Sequence, residues 1–135
     1  MKKGIKIILV GIFMVSLVTG CGCSRKETNK DEEIKSNTNE GVIKDQTVEV
    51  FEFKNTSLIR EGNNTVLETT VTNTSTTDQE LQEFKIEVKD KDGNVMETLI
   101  GFVGDKIKAG ETRVINSYCG TDLTEATNIV YTVVK

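Results

Sequence analysis

The amino-acid sequence predicts an all-β protein: an immunoglobulin-like antiparallel β-sandwich of six or seven strands behind a cleaved signal peptide and a disordered stalk. From Gln46 onward, short runs rich in Val, Ile, Phe, Thr and Tyr alternate with clusters of Gly, Asn, Asp and Ser about every 8 to 12 residues. About thirty apolar side chains lie in that span, which is enough for a two-layer core. The 135 residues leave room for one such domain, assigned to residues 46–135, and an appendage.

The appendage begins with the layout of a secretory signal peptide. A basic start, "MKKGIK", precedes an apolar run from Ile7 to Val18 and the small residues Thr19 and Gly20. Those twelve residues are too few to cross a bilayer as a helix, which takes roughly 20. We therefore expect residues 1–20 to be a signal peptide that is removed; an uncleaved anchor and ordinary secretion are the alternatives.

The end of this segment, Val18-Thr19-Gly20-Cys21, resembles the bacterial lipobox. The resemblance implies that Cys21 is the lipidation site, carries a diacylglycerol thioether and becomes the first residue of the mature chain. It also implies contact with the membrane through the N-terminal lipid, and a location on the extracytoplasmic face of the cell membrane. Cys23 is the rival site, but the residues before it lack the aliphatic position.

Residues 21–45 are predicted to be the lipidated N-terminus and a flexible polar linker. From Ser24 to Asp45 the only sizeable apolar residues are Ile34, Val42 and Ile43. Such a segment buries too little apolar surface to offset the entropy of ordering its backbone. We interpret it as a spacer that holds the domain clear of the membrane.

Six runs downstream of the linker are predicted to be strands, and two shorter features accompany them. A short edge strand is expected at 58–61, and a single helical turn at 122–126, where Asp122 and Glu125 have capping-box spacing. The six runs are 47–53, 64–73, 81–90, 94–102, 112–119 and 128–134.

Alternation within these runs indicates that one face of each sheet is exposed to water. It is clearest in 81–90, where Phe84, Ile86 and Val88 alternate with charged residues. In 47–53 the apolar residues change from even to odd positions between Val50 and Phe51, so they would not all face the same side of one strand.

Three segments of the β region resemble the FxLYD-type domain, a small immunoglobulin-like module of exported bacterial and archaeal proteins. They are "VTNTS" (71–75), "IEVKDKDGNV" (86–95) and "IKAGETRVI" (107–115). The naming motif corresponds to Ile86, Val88, Lys89 and Asp90, so its aromatic residues are replaced while the Asp and the following Gly93 remain. The resemblance implies a fold and an exported location, but no reaction. The antibody type of domain is excluded because the chain has no Cys, Trp, Cys series.

Composition narrows the classes of function. The chain has no His, which removes the usual proton shuttle near neutral pH and the commonest metal ligand. Lys2, Lys3 and Lys6 are the only charges in the first twenty residues, so residues 21–135 carry a net charge of -7. Because nucleic-acid binding needs clustered Lys and Arg, we expect no nucleic-acid partner. We also expect no cofactor.

The segment "DKDGN" (90–94) has two interpretations. Alternating oxygen ligands suit calcium, but the EF-hand loop has Gly at its sixth position, whereas Gly93 is fourth here. Asp-Gly between alternating apolar residues is a strong hairpin signal, and Gly93 or Asn94 can adopt the positive φ of the turn. The hairpin is the favoured interpretation.

Cys119, at the end of a predicted strand, is the third cysteine of the chain. It is expected to be a half-buried small apolar residue. A disulfide to Cys23 is the alternative, since export permits one. A catalytic thiol is less favoured, because no His exists to deprotonate it and no Cys-x-x-Cys is present.

Four further residues have structural interpretations. Asn73 is expected to bond local backbone at a strand end, and Gly110 to occupy a turn. Tyr118 and Tyr131 are either exposed contact residues or part of the core.

Three classes of function are compatible with these features. The first is a non-enzymatic protein-interaction module at the cell surface, with an envelope or extracellular protein as its partner. The alternative is an accessory lipoprotein that binds a small molecule or ion. An enzyme is the least supported class, because acidic pairs such as Asp90 and Asp92 lie at a turn tip where water keeps carboxyl pKa values near normal. We therefore predict no catalytic residues, no cofactor-binding residues and no metal site.

Overall fold

The structure is a computed structural model that describes residues 33–135. Two antiparallel sheets pack face to face, which confirms the predicted all-β sandwich. Eight strands and one short helix build it: β1 (Ile34–Ser36), α1 (Glu40–Ile43), β2 (Gln46–Val48), β3 (Phe51–Glu61), β4 (Asn64–Asn73), β5 (Gln79–Lys89), β6 (Val95–Ile107), β7 (Thr112–Cys119) and β8 (Asn128–Val133).

The strands divide into a large sheet and a small sheet. The large sheet has the order β1-β3-β4-β7, with β2 also paired to β3, and the small sheet has the order β6-β5-β8. The chain crosses between the sheets after β4, β6 and β7. Strand β7 therefore returns beside β4, and β8 returns beside β5.

The core lies between the sheets and follows the alternation of the sequence. Phe84, Ile86 and Val88 of β5 are fully buried, as predicted. Phe53 of β3 stacks on the ring of Tyr131 at a centroid distance of 4.3 Å, and Phe84 meets Phe53 edge to face at 4.9 Å. This aromatic cluster joins one strand of the large sheet to two strands of the small sheet.

The predicted strand 47–53 is wrong as a single element. The chain reverses at Glu49 and Val50, where Glu49 has a φ of 57°, and β2 then pairs back onto the start of β3. This reversal explains the change of apolar phase seen in the sequence. The segment 58–61 belongs to β3 and is not a separate edge strand.

The linker predicted for residues 21–45 ends too late in the chain, because its last part belongs to the folded domain. Residues 34–36 pair with the end of β3, and Val42 of α1 is fully buried. Asn37 is also buried, and its side-chain amide donates to the carbonyl oxygens of Leu123 (3.1 Å) and Ala126 (2.8 Å). The sequence did not reveal that these residues are ordered, because the segment has few apolar residues. One valine and one asparagine supply most of its contacts with the rest of the domain. The folded domain thus includes residues 34–45, and the predicted signal peptide and residues 21–32 lie outside the described residues.

The predicted helical turn at 122–126 is also wrong. Asp122 accepts a hydrogen bond from the backbone N of Thr124 (3.0 Å), and the N of Ala126 donates to the carbonyl of Leu123 (3.1 Å). These bonds make a single tight turn, so Asp122 satisfies a local backbone donor without starting a helix.

Candidate interaction surface

The predicted lipidation site, Cys21, lies outside the described residues, as does Cys23. Cys119 lies at the end of β7, half-buried, with its Sγ 3.7 Å from the carbonyl oxygen of Thr121. Burial raises the pKa of this thiol. Since the thiolate is the nucleophilic form, the surroundings of Cys119 favour the predicted small packing residue.

Residues 90–94 form the predicted hairpin turn between β5 and β6. Asp90 accepts hydrogen bonds from the backbone N of Asp92 and of Asn94, both at 2.9 Å, and Gly93 has a φ of 83°. The hydrogen bond from the backbone of Asn94 is the main cause of the lowered pKa of Asp90, so the near-normal pKa expected from the sequence is wrong for this carboxyl. The Asp90 carboxylate is therefore engaged in shaping the turn.

Asn73 makes more contacts than the local ones predicted for it. Its Nδ2 donates to the carbonyl oxygens of Thr77 (2.8 Å) and Ile107 (2.9 Å). Its Oδ1 accepts from the backbone N (3.0 Å) and Oγ (2.7 Å) of Ser75. The fully buried amide thus ties the β4–β5 crossover to the end of β6. Gly110 occupies a turn with a φ of 75°, as predicted.

The two tyrosines have opposite environments. Tyr131 is buried, and its hydroxyl lies 2.7 Å from Oγ1 of Thr56, which is 3.0 Å from Oγ1 of Thr69. Tyr118 is 68% exposed on the outer face of the large sheet. Tyr131 is therefore a core residue, and Tyr118 is available for contact.

A shallow polar depression of about 320 Å³ lies between the N-terminal segment and the β7–β8 loop, with Asn37, Asn39, Thr124 and Glu125 in its lining. The Asn37 amide that closes it donates to carbonyls of the protein itself, and Oδ1 of Asn37 accepts from the N of Asn39 at 2.9 Å. The donors of the Asn37 side chain are therefore already used within the protein.

The outer face of the small sheet combines charges with exposed apolar side chains; we call it the ladder face. Four alternating charges follow β5, the central strand: Glu83, Lys85, Glu87 and Lys89. Lys85 Nζ lies 2.9 Å from Glu87 Oε1, and Lys89 Nζ lies 3.5 Å from Glu87 Oε2. These contacts, above all the hydrogen bond from Lys85, lower the pKa of Glu87. The four charges sum to zero, although the chain as a whole is acidic.

An apolar stripe on β6 borders these charges. Ile100 is paired in register with Lys85, and Phe102 with Glu83. Phe102 is 69% exposed and Ile100 is 47% exposed, whereas the residues between and before them, Gly101 and Leu99, are buried. Large apolar side chains on a water-facing strand are a feature of interaction surfaces.

Sequence reasoning missed this stripe. The run "TLIGFV" has apolar residues in both phases, so alternation does not say which of them face the core. The structure resolves the phase: a Cβ added at Gly101 would overlap the Phe84 ring, so position 101 faces the core and its neighbours face outward.

The strand edges are less available than the ladder face. At the corner where β6 meets β7, Ser117 Oγ donates to the carbonyl of Ile100 (2.8 Å) and Arg113 Nη2 to that of Lys106 (2.7 Å). On the outer edge of β8, Gln46 Nε2 donates to the carbonyl of Ile129 (2.6 Å). Because these carbonyls already accept hydrogen bonds, a partner strand that paired there would have to displace the side chains that donate to them. The geometry therefore favours contact through side chains of a sheet face.

Comparison with protein-family models, with curated proteins and with solved structures finds no match for this chain. Within residues 33–135, no helix is long and apolar enough to span a membrane. In the same range, no three His, Cys, Asp or Glu side chains come together as a metal site requires.

Proposed function

We propose that this protein is a membrane-anchored bacterial lipoprotein whose sandwich domain is a non-enzymatic protein-interaction module on the extracytoplasmic face of the cell membrane. The observation that carries the proposal is the ladder face, where Ile100 and Phe102 lie exposed beside charges that sum to zero. Burying this face against a protein would remove apolar surface from water without isolating a net charge.

The anchor in this proposal rests on the signal-like first twenty residues and the lipobox-like sequence that ends at Cys21. Since β1 begins at Ile34, only residues 22–33 would separate the lipid from the folded domain. Twelve extended residues span at most about 40 Å. The domain would therefore act on partners near the membrane.

The non-enzymatic character is supported by the hydrogen bonds and ion pairs that the carboxylates with lowered pKa values make with their own neighbours. Asp90 and Asp122 accept hydrogen bonds within surface turns, and Glu111 is held by Arg113 at 2.9 Å. Each of these groups is engaged by its own neighbours, which is the pattern of structural carboxylates.

The anchor is tested by the intact mass of the protein extracted from native membranes. We expect residues 21–135 plus diacylglycerol, with or without further acyl chains. Cys21→Ala should abolish the lipid mass and the partitioning into a detergent phase, and Cys23→Ala should change neither. A wild-type protein that retains residues 1–20 would contradict the lipoprotein proposal.

The interaction is tested with a photo-crosslinking amino acid at position 100, on the ladder face, and at the exposed position 63, in the turn between β3 and β4. In membranes of cells that express the full chain, position 100 should yield discrete protein adducts and position 63 should not. Absence of adducts from position 100 would overturn the interaction proposal while leaving the anchor in place.

A further inference from the structure

We propose that the partner of the ladder face is a second copy of this chain, docked face to face with the strands of the two copies running in opposite directions. This inference rests on the proposed function and names the partner of the same surface. Three features of the molecule bear on it: the order of the charges along β5, the exposed apolar side chains beside them, and the limited size of the face.

The charge order is self-complementary in one orientation only. Two identical sheets can stack face to face only if the two-fold axis lies in the plane between them. An axis parallel to β5 and passing over it would place Glu83 opposite its own copy, which is repulsive. An axis across the strands reverses β5 and, when centred at Ile86, places Lys85 opposite Glu87 of the second copy and Glu83 opposite Lys89.

Each of these pairs occurs twice, because a two-fold contact is reciprocal. The result is an alternating network of eight charges, four from each ladder face. Within each face the charges already make contacts of 2.9 and 3.5 Å. Networks of this kind contribute more than isolated surface pairs.

The same axis brings apolar side chains of the two copies together. Strand β6 of one copy then lies over β6 of the other in the opposite direction, since the axis keeps each strand over its counterpart. Phe102 is in register with Glu83, and Val95, which is 49% exposed, is in register with Lys89. The reversal therefore brings the exposed Phe102 ring over Val95 of the second copy, an apolar contact.

The size of the face sets the strength of the contact. Three strands about 4.8 Å apart, over the length of β5 from 83 to 89 at about 3.4 Å per residue, offer roughly 350 Å² per copy. The total of about 700 Å² is below that of standard stable complexes. The contact should therefore be weak for dilute protein and become populated when tethering confines copies to one surface.

The test uses the full chain in membranes, with a photo-crosslinking amino acid at position 102. We expect a product of twice the chain's mass whose crosslinked peptide contains Val95. Lys85→Glu should lower the yield about tenfold, because two attractive contacts become repulsive. Glu87→Lys should do the same, and the double variant K85E/E87K should recover most of the yield by exchanging the charges within each pair.

A matched control comes from the large sheet, where Lys54 and Glu52 form an ion pair of the same 2.9 Å length. Lys54→Glu should leave the dimeric product unchanged. The second-copy assignment is overturned if the double variant is as poor as the single ones, if no dimeric product forms, or if position 102 crosslinks only to a different protein. That last result would still support the proposed interaction module, so the two proposals fail separately.

Discussion

At the scale of single residues, the fully buried amide of Asn73 donates two hydrogen bonds that one change would remove. Asn73→Asp keeps the shape but replaces the donor to Thr77 and Ile107 with a second acceptor, so two carbonyls lose their partner. We expect a loss of about 2 to 4 kcal/mol in the free energy of unfolding at pH 7, measured with urea. Asn116→Asp, at an exposed position, should change it by less than about 0.5 kcal/mol.

The same variant should respond to pH in a defined direction. Burial beside carbonyl oxygens should raise the pKa of the introduced carboxyl in the folded state. A raised folded pKa means that stability is lost as pH rises through it, and regained below it. The deficit relative to the parent should therefore be smaller at pH 4 than at pH 7. An equal deficit at both pH values would contradict the buried placement of this side chain.

Gly101 is the residue at which packing leaves no room for a side chain. An added Cβ would overlap the Phe84 ring, which Phe53 holds at 4.9 Å. We expect Gly101→Ala to cost about 1 to 3 kcal/mol in unfolding free energy. The double variant with Phe84→Leu should lose less than the sum of the single changes, because the ring that creates the overlap is gone. Strict additivity would contradict the overlap.

At the scale of elements, the sequence predicted the strands whose alternation or turn chemistry is local. Strand β7 begins and ends as predicted, and β4 has its predicted bounds 64–73. The β2–β3 reversal was missed because its turn residue, Glu49, adopts positive φ without being Gly or Asn. Strand β1 was missed because its three residues are all exposed and are ordered by pairing with a distant strand. The ladder face was partly predictable: the charges of β5 follow from alternation, whereas the exposure of Phe102 depends on the core contact of Gly101.

The N-terminal segment 34–45 should behave as one unit with the β7–β8 loop. Asn37 joins the two through its hydrogen bonds to the carbonyls of Leu123 and Ala126. Asn37→Ala should therefore speed amide hydrogen exchange in both regions together while the centres of β4 and β5 stay protected. Asn39→Ala, which removes only the acceptor for the N of Gly41, should affect α1 alone. Faster exchange across every strand would contradict a separate unit.

At the scale of the whole molecule, side chains cover parts of the sheet edges, and the ladder face combines exposed apolar residues with balanced charges. Where side chains engage edge carbonyls, at the β6–β7 corner and on β8, growth by strand addition is opposed. The net acidic charge of the chain lies outside the ladder face, whose charges cancel. Repulsion between copies is therefore smaller where the neutral faces meet than where acidic surfaces meet, which links the overall charge to the proposed contact.

The two sheets should unfold as one unit, and Tyr131 reports on this from the shared core. Its hydroxyl bonds Thr56 of the large sheet at 2.7 Å, and burial raises its pKa. Tyr131→Phe should lower the unfolding free energy at pH 7 by about 1 to 2 kcal/mol through the lost hydrogen bond. The unfolded chain ionises at the ordinary tyrosine pKa of about 10, whereas the folded state resists. The parent thus loses stability as pH rises from that value through the raised one, and the Phe variant lacks this loss.

The difference in urea midpoint between the parent and Tyr131→Phe should therefore be smaller at pH 10.5 than at pH 7. Tyr118→Phe, at the exposed tyrosine, should change the unfolding free energy at pH 7 by less than about 0.5 kcal/mol. If Tyr131→Phe ran parallel to the parent between the two pH values, the hydroxyl would ionise equally in both states and could not lie between the sheets. If the two midpoints converge, and far-UV and near-UV circular dichroism report a single transition, then the inter-sheet core and the strands are lost in one event.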